Sequence, residues 1–150
     1  MRGGIVCLFN NVIIRIIHAA FKRYEGDSVL SSALKETAAT VKRELDEGTI
    51  IFSLTEQNEI VAVVKCKLEA DILYFSRLSV FPSAQRKGLA TQLVHYIEQY
   101  AANRHLKYVT CKVHKSENGN IRLYTRLGYQ IVEEDINRGV PTVTMVKSMI

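Results

Sequence analysis

The sequence predicts a mixed, mostly antiparallel α+β sheet flanked by helices. Three observations predict it. Strand-like runs cluster in the middle of the chain, between residues 49 and 81. Helical segments alternate with strands only in part, unlike the regular alternation of a doubly wound parallel fold. The composition, 47% hydrophobic and 23% charged, is that of an ordinary globular protein. A length of 150 residues predicts one domain over 1–150, long enough to bury a sizeable core. Only 2 Pro and 8 Gly exclude collagen-like and linker-rich chains.

Residues 4–9 (GIVCLF) read as a first strand. Residues 12–24 place Val12, Ile13, Ile16, Ile17, Ala20 and Phe21 at helical spacing. Residues 33–47 read as a second, more polar helix stopped by Gly48. The runs 49–56 and 59–69 flank a Gln57-Asn58 turn and form a hairpin. A third run, 72–81, ends at Pro82. Residues 89–102 give the clearest helix, with Leu89, Leu93, Ile97 and Tyr100 on one face. Residues 106–113 are another strand, and Asn118-Gly119 reads as a turn. A short helix follows over 120–128, closed by Gly128. YQIVEE and TVTMVKSM make two last strands.

Lys and Arg number 20 against 15 Asp and Glu, a net charge of +5. That excess suits an anionic ligand or nucleic acid. The cysteines Cys7, Cys66 and Cys111 have no C-x-x-C spacing, which excludes a zinc ribbon or a thioredoxin-like motif. Cys66 and Cys111 lie in apolar strand runs and read as reduced core thiols. Without a disulfide framework, a cytoplasmic compartment is expected. Asn10, Asn11 and Arg15 interrupt the N-terminal apolar run before the roughly 18 residues a membrane helix needs, so no membrane association is expected.

Residues 78–91, LSVFPSAQRKGLAT, carry the chemistry. A strand ends, Pro82 breaks it, Arg86 and Lys87 occupy a short loop, and a helix starts after Gly88. A helix N-terminus leaves N–H groups unpaired and carries partial positive charge. Gly88 lets a ligand approach the main chain, and Thr91 adds a hydroxyl in the first turn. This is the physics of a phosphate or pyrophosphate site. An ordinary strand–loop–helix junction with exposed cations fits the residues equally. Neither a Walker A loop nor a Rossmann turn is present, because the loop has one glycine and Lys87 precedes it.

Gln85-Arg86-Lys87-Gly88-Leu89-Ala90 resembles the Q/R-x-x-G-x-G/A signature of the GCN5-related N-acetyltransferases. Leu78-Ser79-Val80-Phe81-Pro82 resembles the strand end that precedes it in that family. The segment from Asn120 through Tyr124 and Gly128 to Tyr129 resembles the later N-x-x-x-Y-x-x-x-G-F/Y helix and turn. The match runs over about residues 49–148. It implies the GNAT fold, acetyl-CoA as cosubstrate, no metal, and an amine acceptor on a small molecule or peptide. It also implies that amides around 86–91 hold the pyrophosphate. Strand 72–81 would splay from strand 106–113, and pantetheine would pair with backbone at Leu78 and Val80. The Val80 N–H would stabilise the oxyanion, and Tyr124 would protonate the leaving thiolate. Asn120, one helical turn before Tyr124, would contact the coenzyme. Tyr129 reads as core.

The general base is a gap. Strand 72–81 carries no carboxylate, only Ser76, Arg77 and Ser79. A water held by backbone and Ser76 or Ser79, His114 at the end of the next strand, or a substrate amine of low pKa that needs little help, are the options. Strand alternation places Leu78 and Val80 on one face and Arg77 and Ser79 on the other. Arg77 then reads as a solvent-facing cation, or as the lining of an acceptor site for a carboxylate or phosphate. Arg104, Lys107, Lys112, Lys115, Arg122 and Arg126 stand against Glu117 alone in 104–126. They suit the 3′-phosphate end of the coenzyme or a solvated face. Nucleic acid is disfavoured, since no aromatic stacking pair or helix-turn-helix signal accompanies them. The expected activity is direct acetyl transfer in a ternary complex. The rivals are a non-catalytic acyl-CoA-binding module and a basic nucleic-acid-binding domain. The oligomeric state is open, a homodimer being among the options.

Overall fold

The structure, a computed structural model, describes residues 3–22 and 32–150, with side chains from residue 12 in the first stretch and 34 in the second. Helix α1 spans Gly3–Phe21. The strand expected at 4–9 is therefore helical, and residues 23 and 24 of the expected first helix lie outside the described residues. A short apolar run is ambiguous between strand and buried helix by periodicity alone. Here the run continues a helix whose face Ile13, Ile16 and Ile17 is wholly buried.

Helix α2 spans Ala38–Asp46, shorter than the expected 33–47. Ser32–Lys35 forms a separate 3-10 turn. The break has a local cause. Thr37 caps α2, its Oγ1 accepting from the Thr40 N–H at 3.3 Å while the Thr40 hydroxyl oxygen accepts from the Thr37 N–H at 2.9 Å. That reciprocal pair satisfies helix-start donors at the cost of ending the preceding turn. Gly48, with φ +104°, terminates the segment as predicted.

The strands are β1 (Ile50–Glu56), β2 (Glu59–Glu69), β3 (Ile72–Val80), β4 (Tyr108–His114), β5 (Gln130–Asn137) and β6 (Val140–Ser148). They form one sheet in the order β1-β2-β3-β4-β6-β5. β1 with β2, β4 with β6, and β5 with β6 are antiparallel; β3 and β4 are parallel. With helices α3 (Leu89–Asn103) and α4 (Asn118–Arg126), this is the predicted mostly antiparallel α+β sheet with helices.

The chain divides into two compact units, Met1–Lys67 with Arg77–Val94, and Leu68–Ser76 with His95–Ile150. In the first, Ile13, Ile16 and Ile17 of α1 pack with Val41 of α2 and Val63 of β2. Burial of each such side chain contributes about 1.5–3 kcal/mol. Beside this core lies an ion cluster. The Lys65 ammonium, its side chain 4% exposed, meets Glu36 Oε1 and, at 2.6 Å, Glu44 Oε1. Arg77 Nε meets the other Glu36 oxygen.

In the second unit, Thr110 Oγ1 donates to the Met145 carbonyl at 2.9 Å across the β4–β6 ladder. Tyr108 lies opposite Ser148 and His114 opposite Thr142. Val109, Val113, Val143 and Met145 are buried. Cys66 of the first unit and Cys111 of the second are buried unpaired thiols, as expected.

Two outcomes follow. Lys65→Ala leaves two enclosed carboxylates short of a cation, so chemical denaturation should show a loss of about 3 kcal/mol. Burial also pushes the Cys66 and Cys111 thiols up to about 12 from an ordinary 9.0. The unfolded chain loses these protons first as pH rises. Their contribution is therefore complete below pH 9.0 and is lost towards about 12. Denaturation across that window should show stability falling by up to about 1.4 kcal/mol per pH unit per thiol. Native-state alkylation of both thiols at pH 8 should be slow.

Candidate active site

The second half of β3 departs from a regular strand. Arg77 has φ +55°, in the left-handed region that a non-glycine residue seldom adopts within a strand. The Ser79 hydroxyl donates to the Arg77 carbonyl at 2.9 Å and closes the irregularity. Simple alternation therefore fails here. Ser79 is 1% exposed and Val80 is also buried, so these neighbours do not divide between core and solvent. Arg77 is not the solvent-facing cation expected, because its guanidinium sits on Glu36 and its side chain is 28% exposed. The parallel pairing of β3 with β4 covers Ile72 with Tyr108, Leu73 with Val109 and Tyr74 with Thr110. It extends no further along either strand.

After β3, the Phe81 N–H donates to the Val61 carbonyl at 2.8 Å, and Pro82–Ala84 makes one 3-10 turn. Gln85 Nε2 reaches back to the Val80 carbonyl at 3.0 Å, tying the loop to the strand end. Arg86 (φ +66°) and Gly88 (φ +78°) both take left-handed backbone on either side of Lys87. Such alternation turns successive N–H groups toward one concavity. An added Cβ at Gly88 would meet nothing within 4 Å, so the main chain there is open. The Gln92 N–H donates to the Gly88 carbonyl at 3.0 Å, and α3 begins at Leu89. The N–H groups of its first turn, including Ala90 and Thr91, have no acceptor within the helix. Leu89 is buried and pins this end, while Arg86 and Lys87 are exposed. Lys87 Nζ lies 3.9 Å from Glu56, and Leu78 is half-buried. The loop has the backbone geometry and charge to cradle an anion.

Helix α4 starts at Asn118, so Asn118-Gly119 forms its first turn rather than a separate turn. The Asn-Gly signal is strong only where strands flank it, and here a helix follows. Asn120 Nδ2 donates to Glu117 Oε1 at 3.5 Å. Tyr124, 5% exposed, presents its ring edge-on to Phe75 of β3, centroids 5.5 Å apart. Tyr129 completes an aromatic trio at 6.0 Å from each ring. Its hydroxyl donates to Glu98 Oε2 at 2.8 Å, and Lys147 holds the other Glu98 oxygen at 3.2 Å. Burial, then the Glu98 carboxylate, pushes the Tyr129 phenol up from its ordinary value. Tyr129 is core, as predicted.

Of the options for a base, Ser76 is exposed, His114 is half-buried and the Ser79 hydroxyl is engaged with Arg77. Three cations of the basic stretch already have partners. Arg104 lies 4.4 Å over the Tyr100 ring, Lys107 3.6 Å from Asp71 and Lys115 2.8 Å from Glu134. Among the described residues no group of three or more His, Cys, Asp or Glu side chains could hold a metal. None of their helices is long and apolar enough to cross a membrane. The carboxylate that approaches β3 comes from elsewhere. Glu36, before α2, was not singled out by the sequence. The available signal was Lys65, a cation set between the apolar Val64 and Cys66 of β2.

Comparison with known proteins bears on the fold and the family. No curated protein sequence matches the chain significantly. Among solved structures, the PaiA N-acetyltransferase of Thermoplasma acidophilum in complex with coenzyme A superposes with a TM-score of 0.79 at 12% identity, covering 95% of this chain and 94% of that one. The aminoglycoside 6′-N-acetyltransferase of Enterococcus faecium gives 0.76 at 16%, covering 95% and 92%. The ribosomal-protein-S18-alanine N-acetyltransferase of Escherichia coli gives 0.71 at 18%, covering 89% and 87%. At these identities the likeness establishes the fold. The acetyltransferase (GNAT) family model matches residues 14–129, most of the chain. The chain belongs to the GNAT acetyltransferase family.

Proposed function

We propose that this protein is an N-acetyltransferase, a single catalytic domain over residues 1–150 that moves the acetyl group of acetyl-CoA to an amine. The observation that carries the reading is the loop before α3. It combines left-handed backbone at Arg86 and Gly88, open space at Gly88 and the unpaired first turn of a helix. Gln85, Arg86, Lys87, Gly88, Leu89, Ala90 and Thr91 would hold the pyrophosphate, with backbone donors doing most of the binding. The same site would bind the coenzyme in a non-catalytic module, and the absence of any carboxylate on β3 favours that second reading.

Acetyl-CoA, when bound, supplies an acetyl thioester, and the residues of this chain do the rest. Leu78, Ser79 and Val80 offer main-chain groups beyond the short β3–β4 pairing, to which the pantetheine arm would add as a strand. The Val80 N–H donates to the carbonyl oxygen as negative charge develops on it. Tyr124 would give its phenolic proton to the departing thiolate. Asn120, one turn before it, would contact the coenzyme. The acceptor amine attacks directly. Neither buried thiol is suited to form an acyl-enzyme, because burial keeps both protonated. The acceptor is an amine on a small molecule or a peptide, the classes named for the aminoglycoside and ribosomal-protein enzymes of this fold. Two buried reduced thiols fit a cytoplasmic setting.

Calorimetric titration with acetyl-CoA should give a dissociation constant of about micromolar order. Gly88→Glu, folded by circular dichroism, should bind none. Equal binding by that variant would remove the loop from the site. Tyr124→Phe should lower kcat about a hundredfold with coenzyme affinity unchanged. An unaltered kcat would return Tyr124 to packing. Micromolar binding with no thiol release across a panel of amines would favour the non-catalytic module.

A further inference from the structure

We infer that the Glu36–Arg77 ion pair is a positioning brace that holds the end of β3 in shape for acyl transfer. The inference rests on the coenzyme reading above for its consequence, but not for its geometry. A non-glycine residue in left-handed backbone is strained and persists only where its surroundings over-determine it. At Arg77 the surroundings do so. Its guanidinium is fixed on Glu36 Oε2 and its carbonyl on the Ser79 hydroxyl, 2.9 Å away. Glu36 is itself held at both ends. His18 Nε2 of α1 donates to its main-chain carbonyl at 2.8 Å. Lys65 of β2 holds its other carboxylate oxygen, and Lys65 is held in turn by Glu44 of α2 at 2.6 Å.

Side chains from α1 and β2 thus converge on Glu36, and Glu36 reaches Arg77 of β3. That residue lies three positions before Val80, whose N–H is assigned to the developing oxyanion. A β-strand irregularity re-aims the groups that follow it and ends regular pairing. A small rotation at 77 would turn the Val80 N–H, and oxyanion donors work only when aimed in advance. Arg77 and Glu36 are therefore positioning residues that act through the backbone of 78–80. The Arg77 guanidinium is engaged by Glu36 within the protein rather than presented to a substrate. That argues for a brace over a subsite for an anionic acceptor.

The test compares Arg77→Ala, Arg77→Gly and Glu36→Gln with the wild type. Arg77 is partly exposed, so its replacement leaves the apolar core intact. Two readouts are taken: amide hydrogen exchange at Ser79 and Val80, and kcat against KM for acetyl-CoA. Arg77→Ala and Glu36→Gln should each speed exchange at these two amides and lower kcat about tenfold or more, with KM little changed. Arg77→Gly removes the side chain without the left-handed penalty, so its kcat should exceed that of Arg77→Ala. Adding Glu36→Gln to Arg77→Ala should cost little more, because the pair acts as a unit. Unchanged exchange and kcat in both Arg77→Ala and Glu36→Gln, with only a shift in melting temperature, would overturn the brace. If wild type fails to bind acetyl-CoA while exchange still quickens in the variants, the brace stands and the coenzyme reading falls.

Discussion

An ammonium group with its side chain 4% exposed imposes the strictest demand in the first unit. Desolvating a charge costs several kcal/mol unless paired and hydrogen-bonded groups replace the lost water. Lys65 meets that demand with Glu36 and Glu44, which come from opposite ends of the segment around α2. Their positions then cease to be independent. Glu44 can reach Lys65 only if α2 lies over β2, and Glu36 only if the segment before Thr37 passes the same point. Glu36 carries a second cation, Arg77, so the demand propagates into β3. One buried charge in one strand therefore constrains a helix, its N-terminal approach and the backbone of a neighbouring strand.

Local chemistry was legible and long-range chemistry was not. The hairpin of 49–56 with 59–69, the helix opening at Leu89 and the Gly48 stop follow from alternation, helical spacing and glycine conformation. All fall where the structure has them. The loop proposed to hold an anion could be singled out for the same reason, since its cations, glycine and helix start occupy seven consecutive positions from Gln85 to Thr91. Errors arose where a local signal was outvoted. GIVCLF has the branched residues of a strand, yet it continues a helix with an apolar face. Asn118-Gly119 has turn chemistry, yet a helix propagates through it. The ion cluster escaped because its partners lie 29 and 41 positions apart, and nothing in a window around Lys65 names a carboxylate at 36. Arg77 was misread for a related reason. Period-two reasoning assumes an unbroken strand, and the left-handed residue is the one that breaks it.

The same environment logic separates the two buried tyrosines that could be asked to donate a proton. Tyr124 and Tyr129 lie in one aromatic trio with Phe75, at similar ring separations and both nearly inaccessible. Packing alone would make them interchangeable. The Tyr129 hydroxyl, however, is spent on Glu98, a carboxylate also claimed by Lys147. A phenol beside a carboxylate is disfavoured as an anion, and burial adds to this. A group so held transfers its proton poorly to a departing thiolate, because the phenolate it would leave behind faces Glu98. Tyr129 thus ties α3 to β6 through Glu98 and Lys147, a structural task. The proposal that Tyr124 is the acid rests on the helix motif that brought it to notice.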